Sequence, residues 1–263
     1  MKALKKYLKK RKSVINLLLQ KPLQSYTPDT FHVLRVEIKK LHALFDLVDF
    51  CSKEFKQNKT FNPFKLIFRQ AGKIRELQVE TSLLEKHFFF NLPKDYCVDL
   101  KKELAKELKK FFSITNCKSG STLKKNYRKI IPFLTKISKK KAQRYMDKKS
   151  AEIKKLLPQN TLKNKQMHML RKRLKEYQYN QKSLNLSKQN KLISVMDVLP
   201  ELLGEWHDYQ VTINHLKKII DSGQINPTEN NQLESIKALF IFKREFLLNK
   251  INSALLNSLF RKG

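Results

Sequence analysis

The chain has 263 residues, 41% of them hydrophobic, and sets 56 Lys and Arg against 23 Asp and Glu, a formal net charge of +33 with a pI near 10.1. That length can bury one or two substantial cores, but no apolar run approaches the ~18 residues of a membrane span, and Met1-Lys2-Ala3-Leu4-Lys5-Lys6 opens no signal-peptide core. Charge of one sign on this scale repels itself unless an anionic partner relieves it, so a polyanion is the first partner to expect, a prediction that acidic membrane surfaces and nucleic acids share.

Taken in order, residues 2–20 read as a helix with Leu4, Leu8, Ile15, Leu18 and Leu19 inside and Lys5, Lys9 and Lys12 outside. Lys21-Pro22 ends it. Thr27 is a candidate N-cap with Pro28 in the first turn, and the helix it opens is predicted to reach about Lys56. Asn62-Pro63 is expected to open the next, to about Phe89; Pro93 separates it from a helix over 94–115. Ser119-Gly120-Ser121-Thr122 is the strongest loop signal in the chain. The pattern then predicts one helix over 123–157 with Pro132 as a kink, then helices over 160–183 and 189–221 (kinked near Pro200), and a last one from Asn226-Pro227 to about Phe260. Alternating strand patterns are absent. The reading is all-α, with about eight helices.

Two stretches recur. Phe31-His32-Val33-Leu34-Arg35-Val36-Glu37-Ile38-Lys39 finds its counterpart in Met167-His168-Met169-Leu170-Arg171-Lys172-Arg173-Leu174-Lys175, which keeps His-x-Leu-Arg and a lysine seven residues after the histidine. At about 100° per residue, His32, Arg35, Lys39 and His42 fall within roughly 80° of one another. Leu34, Ile38, Leu41 and Phe45 share the neighbouring apolar face. The second copy repeats the phase, with His168, Arg171, Lys172 and Lys175 on one side and Leu170, Leu174 and Tyr177 on the other. Gly72-Lys73-Ile74-Arg75-Glu76-Leu77-Gln78-Val79 likewise matches Gly204-Glu205-Trp206-His207-Asp208-Tyr209-Gln210-Val211. With five glycines in the whole chain, two at corresponding sites point to an internal duplication, halves 1–120 and 121–263, four helices in each.

The stripes suit anion binding better than catalysis or metal binding. No carboxylate or cysteine stands at ligand spacing beside the histidines, and no glycine-rich elbow, Walker-type loop or HExxH occurs. Cys51, Cys97 and Cys117 are odd in number and widely spaced, which fits reduced thiols in a cytosol. Glu76 and Asp208, beside Arg75 and His207, read as salt-bridge partners that fix a basic side chain. The lysine-rich stretch from Lys136 to Lys149 reads equally as a solvated face or as part of a basic site.

The paired His-x-Leu-Arg-x3-Lys helices, each followed by Gly-x2-[Arg/His]-[Glu/Asp]-x2-Val, resemble the CHAD domain, the conserved histidine α-helical domain, over about residues 2–260. The resemblance implies one domain over 1–263, made of two pseudo-symmetric four-helix bundles around a basic central pore or groove that binds inorganic polyphosphate. It also implies a cytoplasmic protein associated with polyphosphate granules. Carried over, the family's basic positions correspond to His32, Arg35, Lys39, Lys40, His168, Arg171, Arg173 and Lys175; the stripes add His42 and Lys172. The sequence departs from the family where His42 and Gln178 stand at a usual arginine and where lysine replaces much of its arginine. The resulting expectation is non-catalytic polyphosphate binding without metal or cofactor, the alternative being a basic helical nucleic-acid binder. Against the alternative, single-strand binders add aromatic platforms for bases, and the stripes offer only Tyr179.

Overall fold

A computed structural model describes residues 2–88, 91–116, 119–157, 162–186, 193–223 and 225–260. Among them there are nine α-helices and no strand: α1 Lys2–Leu19, α2 Pro28–Cys51, α3 Gln57–Phe88, α4 Lys94–Asn116, α5 Ser119–Thr135, α6 Lys139–Leu156, α7 Asn164–Leu184, α8 Ile193–Asp221 and α9 Pro227–Phe260, with a single 3-10 turn at Leu23–Ser25. They form two compact units. The first takes Met1–Arg75, Glu107–Lys155 and Lys172–Lys188, and the second Glu76–Lys106, Leu156–Arg171 and Gln189–Gly263. The helices α3, α4 and α7 therefore contribute residues to both, and α6 gives its last residue, Leu156, to the second.

The first unit is organised on α2. Its start follows from Thr27, whose side chain and that of Thr30 cap each other's backbone N–H, with Pro28 at the first position. The apolar stripe is buried as its spacing requires: Leu34, Ile38, Leu41 and Phe45 have no exposed surface. Leu4, Leu8, Ile15 and Leu18 of α1 are buried too, as that helix packs on α2. Around Phe45 stand the rings of Phe55, Phe61 and Phe64, with centroids 5.6, 5.9 and 6.1 Å away, mostly edge to face. One ion pair lies inside this packing. Arg11 Nη1 sits 2.9 Å from Glu37 Oε2, with only 8% and 7% of the two side chains exposed, and Lys40 Nζ reaches Glu37 Oε1 at 2.7 Å.

In the second unit α8 packs on α9 around Trp206, Leu203, Leu216, Leu233, Ile236 and Phe240, all essentially buried. Glu229, in the first turn of α9, accepts the backbone N–H groups of Asp95 (2.8 Å) and Tyr96 (3.1 Å), which satisfies the N-terminus of α4. Glu80, 2% exposed, accepts from Tyr96 Oη at 2.5 Å and meets His215 Nδ1 at 2.5 Å. Gly223, at φ 64°, takes the left-handed conformation just past the end of α8.

Four expected boundaries need correction. The helix opened at Pro28 ends at Cys51 rather than near Lys56, because the lysine ammonium of residue 141 takes the Cys51 carbonyl at 3.0 Å and Ser52 is extended. The next starts at Gln57, not at Asn62-Pro63, because Asp49 Oδ1 accepts the Gln57 N–H at 3.1 Å; Pro63 lies inside α3 between the buried rings of Phe61 and Phe64. Ser119–Thr122 is the first turn of α5 rather than a loop. The predicted helix over 123–157 is two. Phe133 O accepts the Lys136 N–H in a tightened last turn, and Ser138 Oγ then caps α6 by accepting the Lys141 N–H at 3.2 Å, which makes nine described helices of the expected eight. Residues 89, 158, 160, 161, 189–192 and Cys117, all in the sequence reading, lie outside the described residues.

Removing one member of a buried ion pair strands the other, at a cost of about 3–5 kcal/mol. Glu37→Gln is expected to lower unfolding free energy by about 3 kcal/mol, whereas Asp99→Asn, which breaks an exposed pair with Lys102, costs under about 1 kcal/mol. Urea denaturation of the two variants checks the contrast.

Candidate anion-binding site

On the exposed side of α2, the stripe begins with His32, which solvent reaches, and continues to the half-buried Arg35 and Lys39. Arg35 does not wave in solvent. Its Nη1 donates to Phe68 O at 3.0 Å, and its guanidinium carbon stands 4.4 Å from the Phe68 ring centroid. Lys39 Nζ lies 5.8 Å from the same ring. One turn along α3 from Phe68 is Gly72, where a Cβ would come within 2.2 Å of Arg35 Nη1. The two sequence motifs thus meet in space: the arginine of His-x-Leu-Arg lies on the glycine of the second segment.

Arg75, three residues further on α3, completes the cluster. The pKa of His32 is held below its ordinary value, first by burial of part of the ring, then by the charges of Arg75 and Lys39, with Asp29 opposing and Arg35 adding to the effect. Histidine in such a setting stays neutral near pH 7 until an anion arrives. In the second unit, His168 lies against His207, ring centroids 5.3 Å apart and tilted by 46°. Because His207 matches Arg75 in the repeated segment, the same sequence position approaches the motif histidine in both units. The glycines differ: nothing comes within 4 Å of a Cβ at Gly204. Arg171 is half-buried in that unit, while Lys172, Arg173 and Lys175 belong to the first.

Other candidate residues are drawn into carboxylate networks. Lys40 is on Glu37. Arg173 pairs with Glu176 at 3.0 Å and Glu152 at 3.3 Å, the same two acids that Lys149 approaches at 3.5 and 3.6 Å. His42 Nδ1 stands 3.5 Å from Asp46 Oδ2, and its Nε2 is 3.1 Å from the Gln57 amide nitrogen, which also contacts Asp46. If that amide nitrogen donates to Nε2, the ring carries its proton on Nδ1, toward Asp46. His42 and Arg173, with Lys172, line an open pocket of about 380 Å³ in the first unit, together with Asp46, Asp49 and Phe50 of α2, Gln57 and Asn58, Tyr145 and Lys148, and Glu176. The sequence reading missed its acids and its aromatic pair. The i, i+4, i+7, i+8 spacing of His42, Asp46, Asp49 and Phe50 was the available signal.

Glu76 has no ion pair within 4 Å among the described residues, and its charge acts instead on His215, whose pKa is raised above the ordinary value mainly by its hydrogen bond to Glu80. Among the described residues no three His, Cys, Asp or Glu side chains gather closely enough to hold a metal ion, and no helix is long and apolar enough to cross a membrane. The two histidines make opposite predictions. Arg75→Ala, by removing a cation, is expected to raise the pKa of His32, whereas Glu80→Gln, by removing an anion, lowers that of His215. Proton NMR titration of the imidazole C–H signals reads both directions.

Comparison with known proteins bears on the fold and the family. The crystal structure of the CHAD domain from the plant Ricinus communis superposes with a TM-score of 0.71, covering 96% of this chain and 88% of that one at 12% sequence identity, a likeness of fold. No curated protein matches by sequence. The family model of the CHAD domain matches residues 11–217, which include both His-x-Leu-Arg helices and both glycine segments, and the chain belongs to the CHAD domain family.

Proposed function

We propose that the chain binds inorganic polyphosphate, as a binding module rather than an enzyme, through its two His-x-Leu-Arg helices. The observation that carries this reading is the gathering of His32, Arg35, Lys39 and Arg75 on α2 and α3, close enough to depress the histidine's pKa, with Asp29 opposing them. A phosphate chain presents about one negative charge per unit at short spacing, and a row of fixed cations along a helix pair suits it. The approach of Arg75 to His32 and of His207 to His168 supports the internal duplication and a matching role for Arg171. Of the ten candidate residues, His32, Arg35, Lys39, His168, Arg171 and Lys175 form the core of the proposal. Lys40, His42 and Arg173 serve it less directly because carboxylates already hold them.

The nucleic-acid reading fares worse at this stripe. The Phe68 ring beside it already holds the Arg35 guanidinium and, more loosely, the Lys39 ammonium, so a base stacking there would compete with two cations. Residence in the cytoplasm and association with polyphosphate granules belong to the same proposal.

Replacing Arg35 and Arg171 together by alanine is expected to weaken binding of a defined-length polyphosphate by about 2–5 kcal/mol, since each charged hydrogen bond is worth about 1.5–3 kcal/mol. Lys139→Ala with Lys140→Ala removes the same charge from the exposed face of α6 and should cost less. For the unaltered chain, log K is expected to fall linearly with log salt. Equal losses from the two double variants, or equal losses against single-stranded DNA, would reduce the site to bulk charge.

A further inference from the structure

The 380 Å³ pocket of the first unit begins at His42, the far end of the α2 stripe, and runs on past Asp46, Asp49 and Phe50. Asp46 is eleven residues beyond Arg35 on α2, about 16 Å along the axis. Its chemistry differs as well. The stripe is a gathering of cations, whereas in the pocket three carboxylates, Asp46, Asp49 and Glu176, stand among Lys148, Lys149, Lys172 and Arg173. The pocket's volume falls within the range of small-molecule sites.

Three features on its rim fit parts of one ligand. Phe50, 42% exposed, offers a ring that rests edge-on against Tyr145, 5.3 Å between centroids. Lys148 and Lys172 are exposed and ion-paired with no acid among the described residues; Lys148 Nζ instead stands 5.4 Å from the Phe50 ring centroid. Asp49, exposed on the rim, uses Oδ1 to accept the Gln57 N–H, which leaves Oδ2 as an acceptor.

We propose that this pocket binds a nucleotide whose base carries an exocyclic amino group. The base stacks on the exposed Phe50 ring in place of Lys148, whose ammonium lies over it, since every nucleobase has a face that stacks on an aromatic ring. Its amino group donates to the Asp49 carboxylate, in the way carboxylates accept from the cytosine amino group. The phosphate takes Lys148, released from the ring, and Lys172. Glu152 and Glu176 hold Lys149 and Arg173 in place as the pocket's wall, so those two cations do not compete for the phosphate.

Calorimetric titration of the full chain with CMP, UMP, AMP and inorganic pyrophosphate at one salt concentration tests the proposal. CMP and UMP differ at this position by an amino group against a carbonyl, so CMP should bind more tightly by about tenfold, and AMP at least as well as CMP. Phe50→Ala, at an exposed side chain, should weaken CMP and AMP by about tenfold and leave pyrophosphate unchanged. Asp49→Asn keeps an oxygen to cap Gln57 and should narrow the gap between CMP and UMP. Arg35→Ala should leave nucleotide binding as it is, which separates this site from the polyphosphate stripe. Equal affinity for CMP and UMP, indifference to Phe50→Ala, or no saturable binding of any nucleotide would overturn the proposal.

Discussion

The candidate stripe depends on how closely Arg35 can lie against α3. Its guanidinium rests over the Phe68 ring, donates to the Phe68 carbonyl and passes over the backbone at Gly72, a place where any side chain would collide with it. A fork held on three sides loses less rotamer freedom when it meets an anion than a solvated side chain would. The same contact brings α3 near enough for Arg75 to act on His32. Cations crowded in this way raise one another's energy, and a phosphate chain relieves that strain.

The net charge of +33 is not spread evenly over roles. Several of the few acids are buried as ties within a unit: Glu37 on Arg11 and Lys40, Glu80 on Tyr96 and His215, and Glu229 on the first N–H groups of α4. Glu107 takes the amide of Gln70 and the ammonium groups of Lys73 and Lys110 in the same manner. Acids used inside do not neutralise the surface, so lysines on α1 and α6 face solvent with little opposing charge. Fold stability and the unopposed surface charge therefore draw on the same shortage of carboxylates.

Much of this was legible in the sequence because helical periodicity is local. The burial of Leu34, Ile38, Leu41 and Phe45, and of Leu170, Leu174 and Tyr177, followed from spacing, and Thr27-Pro28 gave the start of α2. The breaks were harder. Ser138 caps α6 inside a lysine run that reads as continuous helix, and α3 begins at Gln57 because of a carboxylate eight residues earlier. The pocket was not legible, since α2, α3, α6 and α7 all line it. His42 shared the phase of His32 and Arg35, yet Asp46 on the next turn and Gln57 from α3 claim it. Phase fixes a direction on one helix. It says nothing of what a distant segment brings to meet it.

The most direct test of the account is a polyphosphate titration of Gly72→Ala. Alanine suits a helix interior better than glycine by about 1 kcal/mol, and the added Cβ meets only the far end of the flexible Arg35 side chain, so the variant should fold at least as stably as the parent. Arg35 would have to leave its seat on Phe68. The account predicts a loss of affinity of about tenfold or more, the worth of one charged hydrogen bond. Unchanged affinity in a stably folded Gly72→Ala chain would contradict it, because the arginine's position would then be incidental to binding.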